Sequence, residues 1–173
     1  MDVDPTYLVP ASHLGMIIKD RLFLFNRNKN TMHWSPPLQV LDFRTTAAIK
    51  DVAPFGDDCA GIEIIEPTTS DDIIRSVEFY NNNFYIFKRV TTFMFTYQTS
   101  PLTDGYLRKL SSDMGAYDSC IYKENIVVVN NKGIFRIDGT EFIDIQGKMN
   151  FRFEIPIDHP LSLIHISEPT RRR

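Results

Sequence analysis

Acidic residues come closest to a chemical site in this sequence. Two pairs, Asp57-Asp58 and Asp71-Asp72, offer the oxygen ligands that a hard cation such as calcium prefers. Calcium loops need a defined spacing of the DxDxDG type, and that spacing does not occur here. Acidic pairs ordinarily form turns or cap helices, so the sequence predicts no metal site.

Histidine and cysteine also lack the spacing that chemistry needs. His13, His33 and His159 form neither an HExxH nor an HxH pattern. Cys59 and Cys120 lie 61 positions apart, which fits neither a zinc site nor a disulfide framework. Because Cys120 lies in an apolar segment, we expect a buried free thiol there, in a reducing compartment.

No catalytic motif is present in the sequence. GxSxG, the P-loop, GxGxxG and the sialidase box SxDxGxTW do not occur. A retaining glycosidase needs two facing carboxylates, and a sequence alone does not tell which carboxylates face each other. Trp34, the single tryptophan, could stack on a sugar, but at the end of an apolar strand it is expected to anchor the core. We therefore predict a protein that is not an enzyme, with no catalytic, cofactor-binding or metal-ligating residues and no small-molecule substrate.

The elements that position these residues form a unit of three short strands that occurs three times. Each copy reads apolar strand, polar turn, apolar strand, turn, apolar strand. The copies are 15–35, 74–97 and 119–139. Their middle strands align at Leu22, Phe84 and Ile126, with spacings of 62 and 42 residues. A period of about 40–45 residues with several strands per unit is typical of β-propeller blades, which need stacked neighbours to bury both faces.

Side-chain alternation predicts strands that are covered on both faces. Phe84 and Ile86 share one face, and Tyr85 and Phe87 share the other. Turn residues at 130–133 and 138–139 predict two tight hairpins in the third copy.

The remaining segments are interpreted as connections between the three units. We expect irregular connections over 39–69, with a possible strand in AGIEIIEP, and over 100–119. One helical turn is possible from Thr69 to Ile74, capped by Ser70. Two small basic groups, Arg27 with Lys29 and Lys88 with Arg89, are interpreted as solvated hairpin turns.

The C-terminal segment is expected not to belong to the fold. Residues 161–171, LSLIHISEPTR, resemble the translated read-through of a transposon-type sequencing adapter, so we predict a partial domain over 1–160 and a non-native tail over 161–173. The chain is thus interpreted as a metagenomic fragment of a larger protein. Residues 1–160 hold 16 basic and 21 acidic residues, which argues against wrapping a nucleic-acid backbone. No stretch is long and apolar enough for a membrane span, and no signal peptide is evident.

Several stretches together resemble the β-propeller-containing virion proteins of tailed bacteriophages, a group that includes tail nozzle, tail tubular and packaged-DNA stabilisation proteins. The shared pattern is a DRLFL-like strand, a YWS-like strand, a strand pair, an LSSExG-like connection, an apolar hairpin and a DGVYRFDG-like ending. The matching stretches here are 20–25, 32–35, 83–97, 110–115, 126–129 and 132–139.

The resemblance implies an all-β fold, a partial β-propeller of stacked antiparallel blades with three to four strands each. It also implies a structural virion component in the tail or head–tail connector, assembled in the host cytoplasm, that shapes or seals the DNA channel for ejection. The implied partners are ring-forming copies of itself and portal or tail proteins, with DNA passing passively and no membrane involved. Two alternatives stay open: a carbohydrate-binding or glycan-cleaving propeller of a tail fibre, and a cellular propeller scaffold for protein–protein contacts. The expected blade anchors are Leu22, Trp34, Phe84, Phe87, Ile126 and Phe135.

Overall fold

The computed structural model describes residues 9–43, 60–66 and 71–146. Within these ranges the chain forms twelve β-strands and no helix, so the all-β prediction is confirmed. The strands are β1 (Leu14–Ile18), β2 (Arg21–Asn26), β3 (Thr31–Trp34), β4 (Gly61–Ile64), β5 (Ile74–Tyr80), β6 (Asn83–Lys88), β7 (Thr92–Thr96), β8 (Tyr106–Ser111), β9 (Asp118–Tyr122), β10 (Asn125–Asn130), β11 (Gly133–Asp138) and β12 (Glu141–Asp144).

The strands form three antiparallel sheets, in each of which every strand pairs with the next one along the chain. The first sheet holds β1–β4, the second β5–β8 and the third β9–β12. Each predicted three-strand unit is therefore the beginning of a four-stranded meander. The possible strand in AGIEIIEP is confirmed as β4, and the two hairpins predicted in the third copy join β10 to β11 and β11 to β12.

Two local predictions are wrong. The connection over 100–119 is not irregular throughout, because it contains β8, whose exposed and charged sequence YLRKLS lacks the apolar alternation that marks a strand. The described part of the predicted helical turn is not helical: Ile74 begins β5, and Asp72 accepts a hydrogen bond from the Val90 amide in the turn between β6 and β7. Thr69 and Ser70 lie outside the described residues, as do the segments 44–59 and 147–173.

The first hairpin of every sheet has the same two-residue turn. Its central residues are Lys19-Asp20, Asn81-Asn82 and Lys123-Glu124, all with φ between 44° and 62°. Two consecutive positive φ values define the mirror-image turn whose twist matches that of the strands it joins. Asparagine tolerates this conformation, whereas lysine and glutamate adopt it only at a cost in backbone strain. The repetition of this turn shows that the three units share their geometry.

The first and second sheets pack face to face through a core rich in aromatic rings. Phe84 of β6 lies at its centre, with its ring centroid 4.5 Å from that of Phe23 and 4.8 Å from that of Phe79. Trp34 stacks on Phe95 at 6.2 Å. The buried members of this first cluster are Phe23, Phe25, Met32, Trp34, Ile65, Ile74, Val77, Phe84, Ile86, Phe93, Phe95 and Tyr97.

The opposite face of the second sheet packs against the third sheet. Tyr85 and Phe87 lie on this side, so the prediction that β6 is covered on both faces is confirmed. The Tyr85 hydroxyl donates a 3.2 Å hydrogen bond to the carbonyl of Gly139, and the Ser119 hydroxyl lies 2.9 Å from the Glu78 carboxylate. The buried members of this second cluster are Tyr85, Phe87, Ala116, Ile126, Val128 and Ile137.

A glycine in the third sheet's two-residue turn is expected to stabilise the protein. Glu124→Gly relieves a φ of 60° at a glutamate while keeping the backbone carbonyl that accepts the Tyr80 hydroxyl. We expect a gain of about 0.5–1 kcal/mol, because the strain removed exceeds the added freedom of the unfolded chain. Urea unfolding measures this gain. The control is Glu141→Gly at the start of β12, where φ is not positive and the same change should destabilise.

Candidate functional site

The last residue of the second strand has a recurring polar role in all three sheets. In the first sheet it is Asn26, whose side-chain amide donates a 2.8 Å hydrogen bond to the carbonyl of Ala11. In the third sheet it is Asn130, whose amide donates a 3.0 Å hydrogen bond to the carbonyl of Gly115. Each acceptor lies three residues before the first strand of its own sheet. The asparagine therefore ties the incoming chain to the sheet it is about to form.

In the second sheet a buried ion pair occupies this position. Lys88 ends β6, and its ammonium lies 3.2 Å from a carboxylate oxygen of Asp72, two residues before β5. The two side chains are 0% and 1% exposed. Lys88 also donates to the carbonyl of Glu66, 2.5 Å away, and its ammonium lies 5.6 Å from the centroid of the Phe93 ring. A buried charge is tolerated only when it is paired and hydrogen-bonded, and Lys88 meets both conditions.

Asp72 is likewise saturated with donors. Its carboxylate accepts hydrogen bonds from the Val90 amide at 2.7 Å and from the Thr91 hydroxyl at 2.6 Å. Its backbone carbonyl accepts the side-chain amide of Asn30 at 3.1 Å, and the Asn30 side-chain oxygen accepts the amide of Ile74. Because Asn30 belongs to the first sheet's second hairpin, this network fixes the start of the second sheet against the first.

The interpretation of Lys88 as a solvated turn residue is therefore wrong. The alternation along β6 indicates this burial in the sequence itself, because Lys88 lies on the same face of the strand as Phe84 and Ile86, which are buried. The Asp71-Asp72 pair caps no helix: Asp72 pairs with Lys88 and accepts the Val90 amide in the turn after β6, whereas Asp71 is exposed. No cluster of three or more possible metal ligands occurs in the ranges the structure describes, and Asp57-Asp58 lie outside them.

A groove of about 330 Å³ runs between the loops of the second and third sheets. Asp113 and Lys132 form an ion pair across it, with 2.8 Å between their charged atoms. Hydrogen bonds from Lys132 and Ser111 lower the pKa of the Asp113 carboxyl. Arg89 and Tyr117 also line the groove. Since this ion pair is largely exposed, it contributes little to holding the two sheets together.

Five of the six expected anchors lie in or against the two buried clusters, and Leu22 does not. Trp34 and Phe84 are buried in the first cluster, and Phe87 and Ile126 in the second. Phe135 is partly buried against the second cluster. Leu22 is different, because alternation along β2 places it on the side of the first sheet that points away from the second sheet.

Two sheet faces lie at the ends of the series of three described sheets. The front face is the side of the first sheet that points away from the second. The back face is the side of the third sheet that points away from the second. Strand alternation assigns Ile17, Leu22, Leu24, His33, Ile62 and Ile64 to the front face. It assigns Cys120, Tyr122, Val127, Val129, Ile134 and Ile143 to the back face. The back face also carries charge, because Arg136 lies between Val127 and Ile143 in register and forms a 3.7 Å ion pair with Asp138.

The predicted burial of Cys120 is wrong. Its thiol is free and exposed, because Cys120 lies on the edge strand of the third sheet and points to the back face. On the front face Leu24 is buried, whereas Ile17 is 65% and Ile64 61% exposed. Partial burial, and secondarily the charge of Lys29, lower the pKa of the His33 imidazole. The imidazole is therefore neutral at pH 7, which suits an apolar face.

No protein-family model matches the sequence, and no curated protein matches it significantly. Among the described residues there is no helix long and apolar enough to span a membrane.

Removing the buried cation is expected to destabilise the protein strongly. Lys88→Met keeps most of the aliphatic stem but removes the buried ammonium that pairs with the Asp72 carboxylate at 3.2 Å. We expect a loss of about 3–5 kcal/mol in urea unfolding. The matched control is Lys109→Met, since Lys109 also lies over Phe93 at 5.5 Å, but its partner Glu66 is 53% exposed. That variant should lose less than about 1 kcal/mol, and equal losses would contradict the assigned role of Lys88.

Acidification is expected to cost stability through His33. Because the folded-state pKa of His33 lies below its value in the unfolded chain, the unfolded state binds the proton first as the pH falls below about 6.5. The contribution is present above that pH and is lost as the pH falls through the folded-state pKa. Urea unfolding at pH 7.5 and pH 5.5 should show a smaller loss for His33→Gln than for the wild type. Identical losses would show that His33 does not contribute.

Proposed function

We propose that this chain is a structural component of a bacteriophage virion, and that its three sheets are consecutive blades of a β-propeller. In this role it belongs to the tail or the head–tail connector and shapes or seals the channel through which DNA leaves. The work is done by contacts between subunits and needs no chemical step.

The observation that carries the proposal is the matched stacking of three four-stranded meanders. Each is built from consecutive antiparallel strands, and each begins with the same left-handed two-residue turn. Neighbouring sheets pack face to face, and the second sheet is covered on both sides. Series of such sheets, each in contact only with its neighbours, are the building principle of propellers. The sequence resemblance to virion propeller proteins supplies the biological setting.

Charge supports passage of DNA without binding. The chain has a formal net charge of −3, so electrostatics supplies no attraction for a phosphate backbone. An acidic wall lets DNA slide through a channel, because repulsion prevents the polymer from sticking to it.

The sugar-binding alternative loses the residue on which it most depended. Trp34 is 2% exposed and stacks on Phe95 between two sheets, so its ring is not available to a glycan. Other exposed aromatic side chains, such as Tyr106 and Tyr122, lie on different sheets. A cellular propeller scaffold would have the same packing of sheet on sheet. The genes that lie beside this one distinguish such a scaffold from a virion protein.

The test of the proposed function is to sequence the DNA on both sides of this reading frame in its source. We expect portal, terminase or tail genes beside it, together with further copies of the three-strand unit. Mass spectrometry of virions purified from the same source should then detect peptides of this chain. An operon of cellular genes, or virions without these peptides, would rule out the virion role.

A further inference from the structure

The dipeptide Asp-Gly occurs twice in this sequence, as Asp104-Gly105 and as Asp138-Gly139. In this dipeptide the backbone can react with its own side chain, because glycine has no side chain that keeps its amide nitrogen away from the preceding carboxyl carbon. The product is a cyclic imide, which water opens again either to aspartate or to isoaspartate. The structure places the two dipeptides in different surroundings, and the surroundings decide which of them can react.

The first dipeptide is held in place on both of its residues. One carboxylate oxygen of Asp104 accepts the Thr99 amide at 2.7 Å, and the other accepts the Ser100 amide at 3.1 Å. These hydrogen bonds lower the pKa of the Asp104 carboxyl, so it stays ionised, and a carboxylate is attacked less easily than a carboxylic acid. Gly105 is closely packed, since a Cβ at this position would collide with the carbonyl oxygen of Pro101.

The second dipeptide has none of these restraints. The Asp138 side chain is 69% exposed, and among the described residues its one side-chain partner is Arg136, with 3.7 Å between the charged atoms. No backbone amide in the described part of the chain donates to its carboxylate. Gly139 has a φ of 60° in the exposed turn between β11 and β12, and a Cβ there would meet no atom within 4 Å. Both reacting groups therefore have room to approach each other.

We propose that Asp138 is a site of spontaneous backbone isomerisation, and that the fold protects Asp104 from the same reaction. The Gly139 nitrogen forms a bond to Cγ of Asp138, and the carboxyl OH leaves with the proton of that nitrogen as water. Water then adds to one of the two carbonyl carbons of the ring. Addition at Cγ restores aspartate, whereas addition at the backbone carbonyl gives isoaspartate, in which the main chain runs through Cβ and Cγ. Nothing is oxidised or reduced, and water is the only other reactant.

The position of the turn gives this reaction a structural consequence. Asp138 pairs with Glu141 across the turn, and the next residue of β12, Phe142, packs against the second cluster. The carbonyl of Gly139 accepts the Tyr85 hydroxyl at 3.2 Å, which is a hydrogen bond between the third and second sheets. Isoaspartate lengthens the main chain by one methylene between these contacts, so it displaces the carbonyl and loosens the third sheet. This inference does not depend on the proposed function, because it needs only the folded chain and water.

The first experiment follows the reaction in water enriched in heavy oxygen. The purified full chain is kept folded near neutral pH for several weeks, and each opening of the imide inserts one solvent oxygen into the aspartate that formed it. Peptide mass spectrometry with electron-transfer fragmentation locates both the heavy oxygen and the isoaspartate. We expect both to accumulate at Asp138 at least about tenfold faster than at Asp104, because the hydrogen bonds to the Asp104 carboxylate must break before it reacts.

The matched control is the same chain unfolded in urea. Both aspartates precede glycine, so without the fold they should take up heavy oxygen at similar rates. Equal labelling of Asp104 and Asp138 in the folded chain would overturn the proposal, as would a folded chain that labels at neither. If the preference for Asp138 were as large in urea as in the folded chain, it would come from the sequence, which would overturn the protective role of the fold.

The second experiment tests the structural consequence with Asp138→Glu. Glutamate keeps the negative charge near Arg136, but its imide ring needs one more atom and forms far more slowly. Hydrogen exchange of β11 and β12 is compared before and after the same incubation. We expect faster exchange in the aged wild type and no change in the aged variant. Equal changes in both proteins, or unchanged exchange in wild type that has accumulated isoaspartate, would overturn the link between Asp138 and the third sheet.

Discussion

A four-stranded antiparallel sheet has two faces, and it cannot cover either of them by itself. Everything else in this molecule follows from that constraint. The second sheet satisfies it completely, with Phe84 buried against the first sheet and Phe87 against the third. The first and third sheets each have one face that points away from the second sheet. These two faces are not equivalent, because one is the preceding side of its sheet and the other is the following side.

Apolar packing alone does not determine the relative position of two such sheets. Polar groups at the ends of the sheets determine it together with the apolar core. Asn26 and Asn130 hold the incoming chain with neutral hydrogen bonds, whereas Lys88 and Asp72 do so with charge. A buried ion pair gives little net stability compared with apolar residues of the same size. The ion pair does make a displaced second sheet much less stable, since a shift of that sheet would separate the two buried charges. The ion pair lies where the first sheet, the second sheet and their connection meet.

The sequence predicts the features that depend on the alternation of side chains along a strand. It does not predict the features that depend on whether another sheet packs against that strand. The fold class, the three units and the two-sided burial of β6 all follow from residues such as Phe84 and Tyr85, whose period of two is visible in the sequence. β8 was missed because an edge strand with exposed charges needs no apolar pattern. Lys88 and Cys120 were misplaced for a shared reason: residue type suggests an environment, but the presence or absence of a covering sheet determines it. Lys88 has such a cover, and Cys120 does not.

The two junctions differ in size, and this difference bears on how the chain folds. Among the described residues, twelve buried apolar side chains join the first and second sheets, whereas six join the second and third. In a series where each sheet contacts only its neighbours, stability is distributed junction by junction. The third sheet is therefore joined to the rest by the smaller set of buried side chains, and we expect it to open locally before the first two sheets separate. Amide protons of β10 and β11 should exchange through a local opening that leaves β2 and β6 protected.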